Sequence, residues 1–342
     1  MLTLPGRAAA LYEAIADLPI VSPHGHCDPG WFAANTPFPD PAALLIQPDH
    51  YVLRMLYSQG VALEDLGIGP GGADRDPRDV FALFAQHWDD FLGTPSRLWL
   101  EYTFRHVLGV ETALTADTAG DVYDQIASRL RAPGFRPRTL FQRFGIDLLA
   151  TTDAATDALV DHATIAASGW DGRVIPTFRP DDVLNPLRPH HPAALSELQE
   201  MTGQDIAQYG GFLDALRDRR AAFRDAGATA TDHDVPDLAT TWLSRDRIED
   251  LHTEAVLGTI SPTDAARYYG HLLVEMAQMS AEDGMVMQIH AGSRRNTNRA
   301  IFDAFGADKG ADIPMRTDWV GGLATLLDRV GNDPRLRLIV FT

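Results

Sequence analysis

Six short apolar runs are spaced along this 342-residue chain, and five of them close on side chains capable of chemistry. Ile20-Val21 leads to His24 and His26, Ile146–Ala150 to Thr152 and Asp153, and Val174-Ile175 to Arg179 and Asp181. Ala228–Ala230 leads to Asp232 and His233, and Met285–Ile289 to His290. The sixth run, Arg337–Thr342, has no such terminus. Stretches rich in helix formers lie between the later runs, at 154–167, 192–226, 248–283 and 318–327. Apolar strands alternating with helices form parallel βαβ units. Chemistry placed at the carboxyl ends of successive strands is the pattern of an α/β (β/α)8 TIM-like barrel. An open doubly wound sheet would concentrate it at one switch point instead.

The spacing of Ala10, Leu11, Ile15 and Leu18 predicts a surface helix over 7–18, ended by Pro19. No strand pattern is visible from Trp31 to Phe141, where Trp88, Phe91, Leu98, Trp99 and Phe104 read as one apolar seam. The expected organisation is therefore an N-terminal helix and first strand (1–30), a helical insertion (31–141), and the remaining strands and helices (142–342). A closed barrel of this type needs eight strands. The last two are expected outside these 342 residues.

The formal net charge of −18 opposes binding to nucleic acid or anionic lipid. It does not oppose a small anionic substrate, because local arginines can reverse the field inside a cleft. One cysteine, Cys27, excludes an internal disulfide framework. No run approaches the roughly 20 apolar residues of a membrane helix. Glu13 and Asp17 make the N-terminus unlike a signal peptide, so a cytoplasmic protein is expected. The acidic surface and an exposed barrel edge permit self-association into a homo-oligomer.

His24-Gly25-His26 follows the first strand. Residues two apart on an extended strand point the same way, so both imidazoles face one point past its end. Neutral imidazole is a favoured ligand of zinc-like divalent ions. Cys27 points the other way on such a strand and reads as a packing residue.

These motifs, taken in order, resemble the uronate (glucuronate) isomerase family of the amidohydrolase superfamily. The resemblance rests on His24-Gly25-His26, Asp49-His50-Tyr51 with Arg54-Met55, and Ala150-Thr151-Thr152-Asp153. It continues through Phe178-Arg179-Pro180-Asp181, Asp232-His233, and His290-Ala291-Gly292 with Arg294, Arg295, Asn296 and Asn298. It implies an aldose–ketose isomerisation of D-glucuronate to D-fructuronate and of D-galacturonate to D-tagaturonate through an enediol. It also implies one divalent metal, expected to be loosely held Zn2+, on His24, His26 and His290. The family's last two strands carry a tryptophan-rich segment, then an aspartate that is a further ligand and an arginine; the sequence stops before either.

Within this resemblance Arg179 is the candidate clamp for the uronate carboxylate, since a guanidinium offers a planar fork that lysine lacks. Tyr51 and His50 are candidates for proton transfer, placed by the resemblance over the mouth of the site. His233 and Arg294 are further candidates for substrate contact. His190-His191, flanked by prolines, reads as an exposed loop. Two alternatives share these residues: a metal-dependent hydrolase on the same scaffold, and a truncated, inactive relative that binds sugar acids.

Overall fold

A computed structural model of the chain describes residues 5–341. They form two units. The first contains residues up to Ala34, Phe141–Gly292 and Arg316 onward; the second contains Asn35–Leu140 and Ser293–Met315.

The strands of the first unit are β1 (Ile20–Ser22), β2 (Ile146–Ala150) continued by β3 (Asp153–Ala154), β4 (Arg173–Ile175) continued by β5 (Phe178–Arg179), β6 (Ala230–Val235) and β7 (Val286–Ala291). β8 (Ser293–Arg294) and β9 (Ile313–Pro314) are an antiparallel pair in the second unit, and β10 (Leu338–Phe341) returns to the first. All pairings in the first unit are parallel and join neighbours in chain order: β1 to β2, β2 to β4, β3 to β5, β5 to β6, β6 to β7, β7 to β10. Four strand spacings of about 4.8 Å separate β1 from β7, roughly 19 Å on a flat sheet. Yet Gln288 Nε2, on β7, donates to the carbonyl of Pro23, just after β1, at 3.2 Å. The sheet is therefore strongly curled, with one concave face, as in a barrel wall. Among the described residues β1 and β10 are not paired with each other.

Helices cover the convex face. The longest, Pro262–Asp283, starts at Ser261, whose Oγ accepts from Asp264 N, and stops at Gly284, whose φ of 82° suits a residue without Cβ. Phe178, Phe212, Phe223, Leu216, Leu272, Met276, Met287 and Ile289 form the apolar layer between strands and helices. Two glycines let helices approach a loop backbone. A Cβ on Gly270 would lie 2.1 Å from Ala239 O, and one on Gly322 would lie 2.3 Å from Leu238 O. The same loop donates from Thr241 N to Gly270 O and from Thr240 N to Gly322 O. Gly270→Ala is expected to destabilise the fold by about 1–3 kcal/mol, the usual penalty of overpacking. Chemical denaturation would read this; a loss below half a kcal/mol would contradict the close approach.

The second unit is helical apart from β8 and β9. Among its described residues no strand lies between 35 and 140, as the pattern predicts. Phe81, Phe84, Trp88, Phe91 and Phe104 pack together in its core. Leu98 and Trp99, expected in the same seam, are exposed instead: helix Pro95–Tyr102 turns Leu100 inward, one position along. The segment Ser293–Met315, assigned from sequence to the strand-and-helix region, belongs to this unit. Arg54 holds it by donating from Nε to Gly310 O at 2.6 Å and from Nη2 to Asp312 O.

Candidate active site

Strand alternation decides which side chains reach the concave face. On β7, Met287 and Ile289 join the apolar layer, so Gln288 and His290 face inward. Register places Asp232 beside Gln288, Asp234 beside His290 and His233 beside Ile289. Asp232 and Asp234 therefore share the inward face with His290, and His233 points outward. His233 is 0% exposed, and its Nε2 lies 3.0 Å from Thr231 Oγ1. This corrects the expectation that His233 contacts substrate: the one-residue step along a strand reverses its face. Its neighbour Asp232, absent from the expected site residues, takes the inward position. No sequence signal separates the two, because every residue of β6 is buried and the run shows no polar–apolar alternation.

Burial is the main cause lowering the His233 pKa to about 3. A depressed folded pKa contributes stability that is present above the unfolded value, near 6.5, and lost as pH falls toward 3. Roughly 3 kcal/mol of this contribution is expected to be gone by pH 4. His233→Gln should flatten that part of the profile. Denaturation midpoints at pH 7, 5 and 4 that fall in parallel for both proteins would contradict this.

At the concave face His24 lies beside each of the other two predicted imidazoles. The His24 ring centroid lies 4.9 Å from that of His26 and 4.5 Å from that of His290. His24 Nε2 and His26 Nε2 are 3.2 Å apart. His290 Nδ1 donates to Asp232 Oδ1 at 2.5 Å, and His24 Nδ1 is 3.9 Å from the same oxygen. Phe341 on the neighbouring strand β10 stacks on His290, with ring centroids 4.0 Å apart. Burial opposes ionisation of Asp232, but the His290 hydrogen bond and the Arg179 charge overcome it and hold the carboxyl below its usual range. Burial also lowers the His24 pKa, keeping that imidazole neutral.

Arg179, at the end of β5, faces three carboxylates. Its Nε donates to Asp181 Oδ2 at 2.6 Å; Nη1 is 3.4 Å from Asp232 Oδ2 and Nη2 3.7 Å from Asp234 Oδ2. Asp181 is fully buried, which pushes its pKa up to about 6 although Arg179 and Arg188 pull against the rise. Burial lowers the Arg179 pKa, but Asp181, Asp232 and Asp234 together raise it further, so the guanidinium stays charged.

The other predicted residues lie in the second unit. His50 and Tyr51 open helix His50–Ser58, capped by Asp49 Oδ1, which accepts from Tyr51 N and Val52 N. Their rings are 4.3 Å apart, and Tyr51 is 52% exposed. Arg294 lies exposed on β8. In the first unit Cys27 packs against the Phe32 and Phe141 cluster. His191 is buried rather than in an exposed loop: it starts helix His191–Thr202, and its Nδ1 meets Asp182 O at 3.0 Å.

The residues fit a divalent cation. Donor atoms of His24, Asp232 and His290 lie within 4.8 Å of one another. The Nε2 separation of His24 and His26 matches the roughly 3.3 Å expected between two nitrogens on one tetrahedral zinc-like ion.

A curled parallel α/β sheet with imidazoles, carboxylates and a guanidinium at the carboxyl ends of its strands has the arrangement of a barrel-type enzyme. The family model for glucuronate isomerase matches residues 2–342. The chain is 54% identical over 335 residues to a uronate isomerase of Rhizorhabdus wittichii, covering 98% of this chain and 71% of the relative. It is 50% identical over 338 residues to one of Xanthomonas oryzae pv. oryzae, covering 98% and 72%. The crystal structure of glucuronate isomerase from Caulobacter crescentus superposes with a TM-score of 0.96 at 47% identity, over 100% of this chain and 72% of that one. The uronate isomerase structure from Thermotoga maritima does so at 0.91 and 25% identity, over 99% and 76%. The chain belongs to the glucuronate isomerase family, a family of isomerases. Among the described residues no helix is long and apolar enough to cross a membrane.

Proposed function

We propose that this site interconverts an aldohexuronate and its 2-keto isomer, D-glucuronate with D-fructuronate and D-galacturonate with D-tagaturonate. The observation that carries the reading is the convergence of His24, His26 and His290 beside Asp232 and Arg179. In this reading His24, His26 and His290 hold one divalent ion, zinc by the preference of an imidazole set, with Asp232 behind His290. When bound, such an ion stabilises negative charge developing on the substrate oxygens. Arg179 anchors the substrate carboxylate, since a guanidinium pairs with it in a planar, charge-assisted fork. Asp232 fixes the His290 tautomer by accepting its Nδ1–H, which leaves Nε2 with a lone pair available to an ion. A proton leaves C2 of the open-chain aldehyde, and the electron pair forms the C1–C2 double bond of an enediolate. A proton then returns at C1, so the reaction balances without any external oxidant or reductant. The family resemblance makes Tyr51 and His50 the candidates for proton transfer.

The deciding experiment presents D-glucuronate, D-galacturonate and a panel of lactones and amides to the purified protein. Isomerisation of at least one uronate, with no hydrolysis in the panel, is expected. Amide or lactone hydrolysis without uronate conversion would replace this reading with that of a metal-dependent hydrolase.

A further inference from the structure

Arg179 cannot hold a substrate carboxylate if protein carboxylates already occupy its donors, and three of them face it. The three are not equivalent. Asp181 accepts from Nε, the inner edge of the guanidinium. Asp232 and Asp234 face Nη1 and Nη2, the outer edge, but at 3.4 and 3.7 Å neither is within good hydrogen-bond distance. For Asp234 the cause is a second guanidinium. Arg188 Nη2 donates to Asp234 Oδ2 at 3.0 Å, the oxygen nearest Arg179 Nη2. The same nitrogen lies 3.6 Å from Asp181 Oδ2, the oxygen that Arg179 Nε holds. Arg188 Nη1 is fixed by Asp182 Oδ1 at 3.1 Å. Buried Tyr269 donates to the Asp234 carbonyl at 3.1 Å, which fixes that backbone from behind.

We propose that Arg188 is a positioning residue for substrate binding: it occupies Asp234 and so keeps Nη2 of Arg179 open to the carboxylate of the sugar acid. The inference rests on the proposed role of Arg179 as the carboxylate anchor. Arg179 and Arg188 share two carboxylates, Asp181 and Asp234. Without Arg188, Asp234 loses the donor at 3.0 Å while Arg179 Nη2 lies 3.7 Å from the same oxygen. It would close on Nη2 and compete directly with substrate.

The test is a double-variant comparison in the isomerase assay, with metal content measured alongside. Arg188→Gln is expected to raise KM for the uronate about tenfold, with kcat within about twofold and metal content unchanged. Adding Asp234→Asn removes the competing carboxylate, and the double variant should return KM to within about threefold of the parent. An unchanged KM in Arg188→Gln, or no recovery in the double variant, overturns the proposal; lack of recovery would mean Arg188 touches substrate or supports the fold. Should Arg188→Gln not fold, Arg188→Lys keeps the charge on Asp234, and a KM more than about tenfold above the parent would equally overturn it. Arg179→Lys separates the underlying reading: if its KM is unchanged, Arg179 is not the anchor, whatever Arg188 does.

Discussion

His26→Ala is expected to leave the purified protein with under a tenth of the parent's bound divalent metal and to lower kcat/KM for the uronate roughly 10³-fold. The effect is large because a cation at this site supplies several kcal/mol of charge stabilisation to the enediolate. The variant is also clean. His26 is exposed at the strand exit, so its loss leaves no cavity in the core. His24, by contrast, is half-buried against His290 and Phe341. Metal analysis by mass spectrometry, with circular dichroism as the folding control, reads the outcome. Full metal occupancy in the variant would refute the assignment of the three imidazoles as ligands.

Asp232→Asn is expected to weaken metal binding about 10- to 100-fold, the usual consequence of losing the carboxylate behind a metal-binding histidine. The amide keeps the shape of the side chain but not its charge, and it can no longer select the His290 tautomer by accepting alone. Arg179 loses one of its three facing carboxylates at the same time. Titration of the metal-free protein with zinc, followed calorimetrically, gives the dissociation constant. A change of less than about threefold would mean that the 2.5 Å bond to His290 does not tune the site.

The two variants probe different depths of what the chain reveals about itself. His26 is legible without a structure, because an alternating pair of histidines after an apolar strand has one geometric consequence. Asp232 is not found that way. It stands beside His233, which is the more conspicuous residue, and only the register of β6 against β7 shows which of the two faces inward. A run in which every residue is buried carries no polar–apolar alternation to fix its phase, and β6 is such a run. Leu98 and Trp99 failed for a related reason. Helix Pro95–Tyr102 is short, and its inward face is set by Leu100 meeting the rest of its unit. The prolines flanking His191 suggest a loop, whereas Pro192 sits in the first turn of a helix, where its missing N–H is no loss.

The sequence alone determined the order of strands and helices, the parallel architecture, the strand-end placement of His24, His26, Arg179 and His290, and the helical character of 35–140. Each follows from local periodicity and chain direction, which neighbours in sequence specify. Tertiary structure alone decided that Asp232 and Asp234 face the site, that Arg179 is shared among three carboxylates with Arg188 behind them, and that 293–315 belongs with the helical unit. Those facts depend on register and curl, which bring together atoms up to 265 positions apart, as Gln288 and Pro23 show. No local pattern encodes such a distance, because it is fixed only when the whole sheet bends.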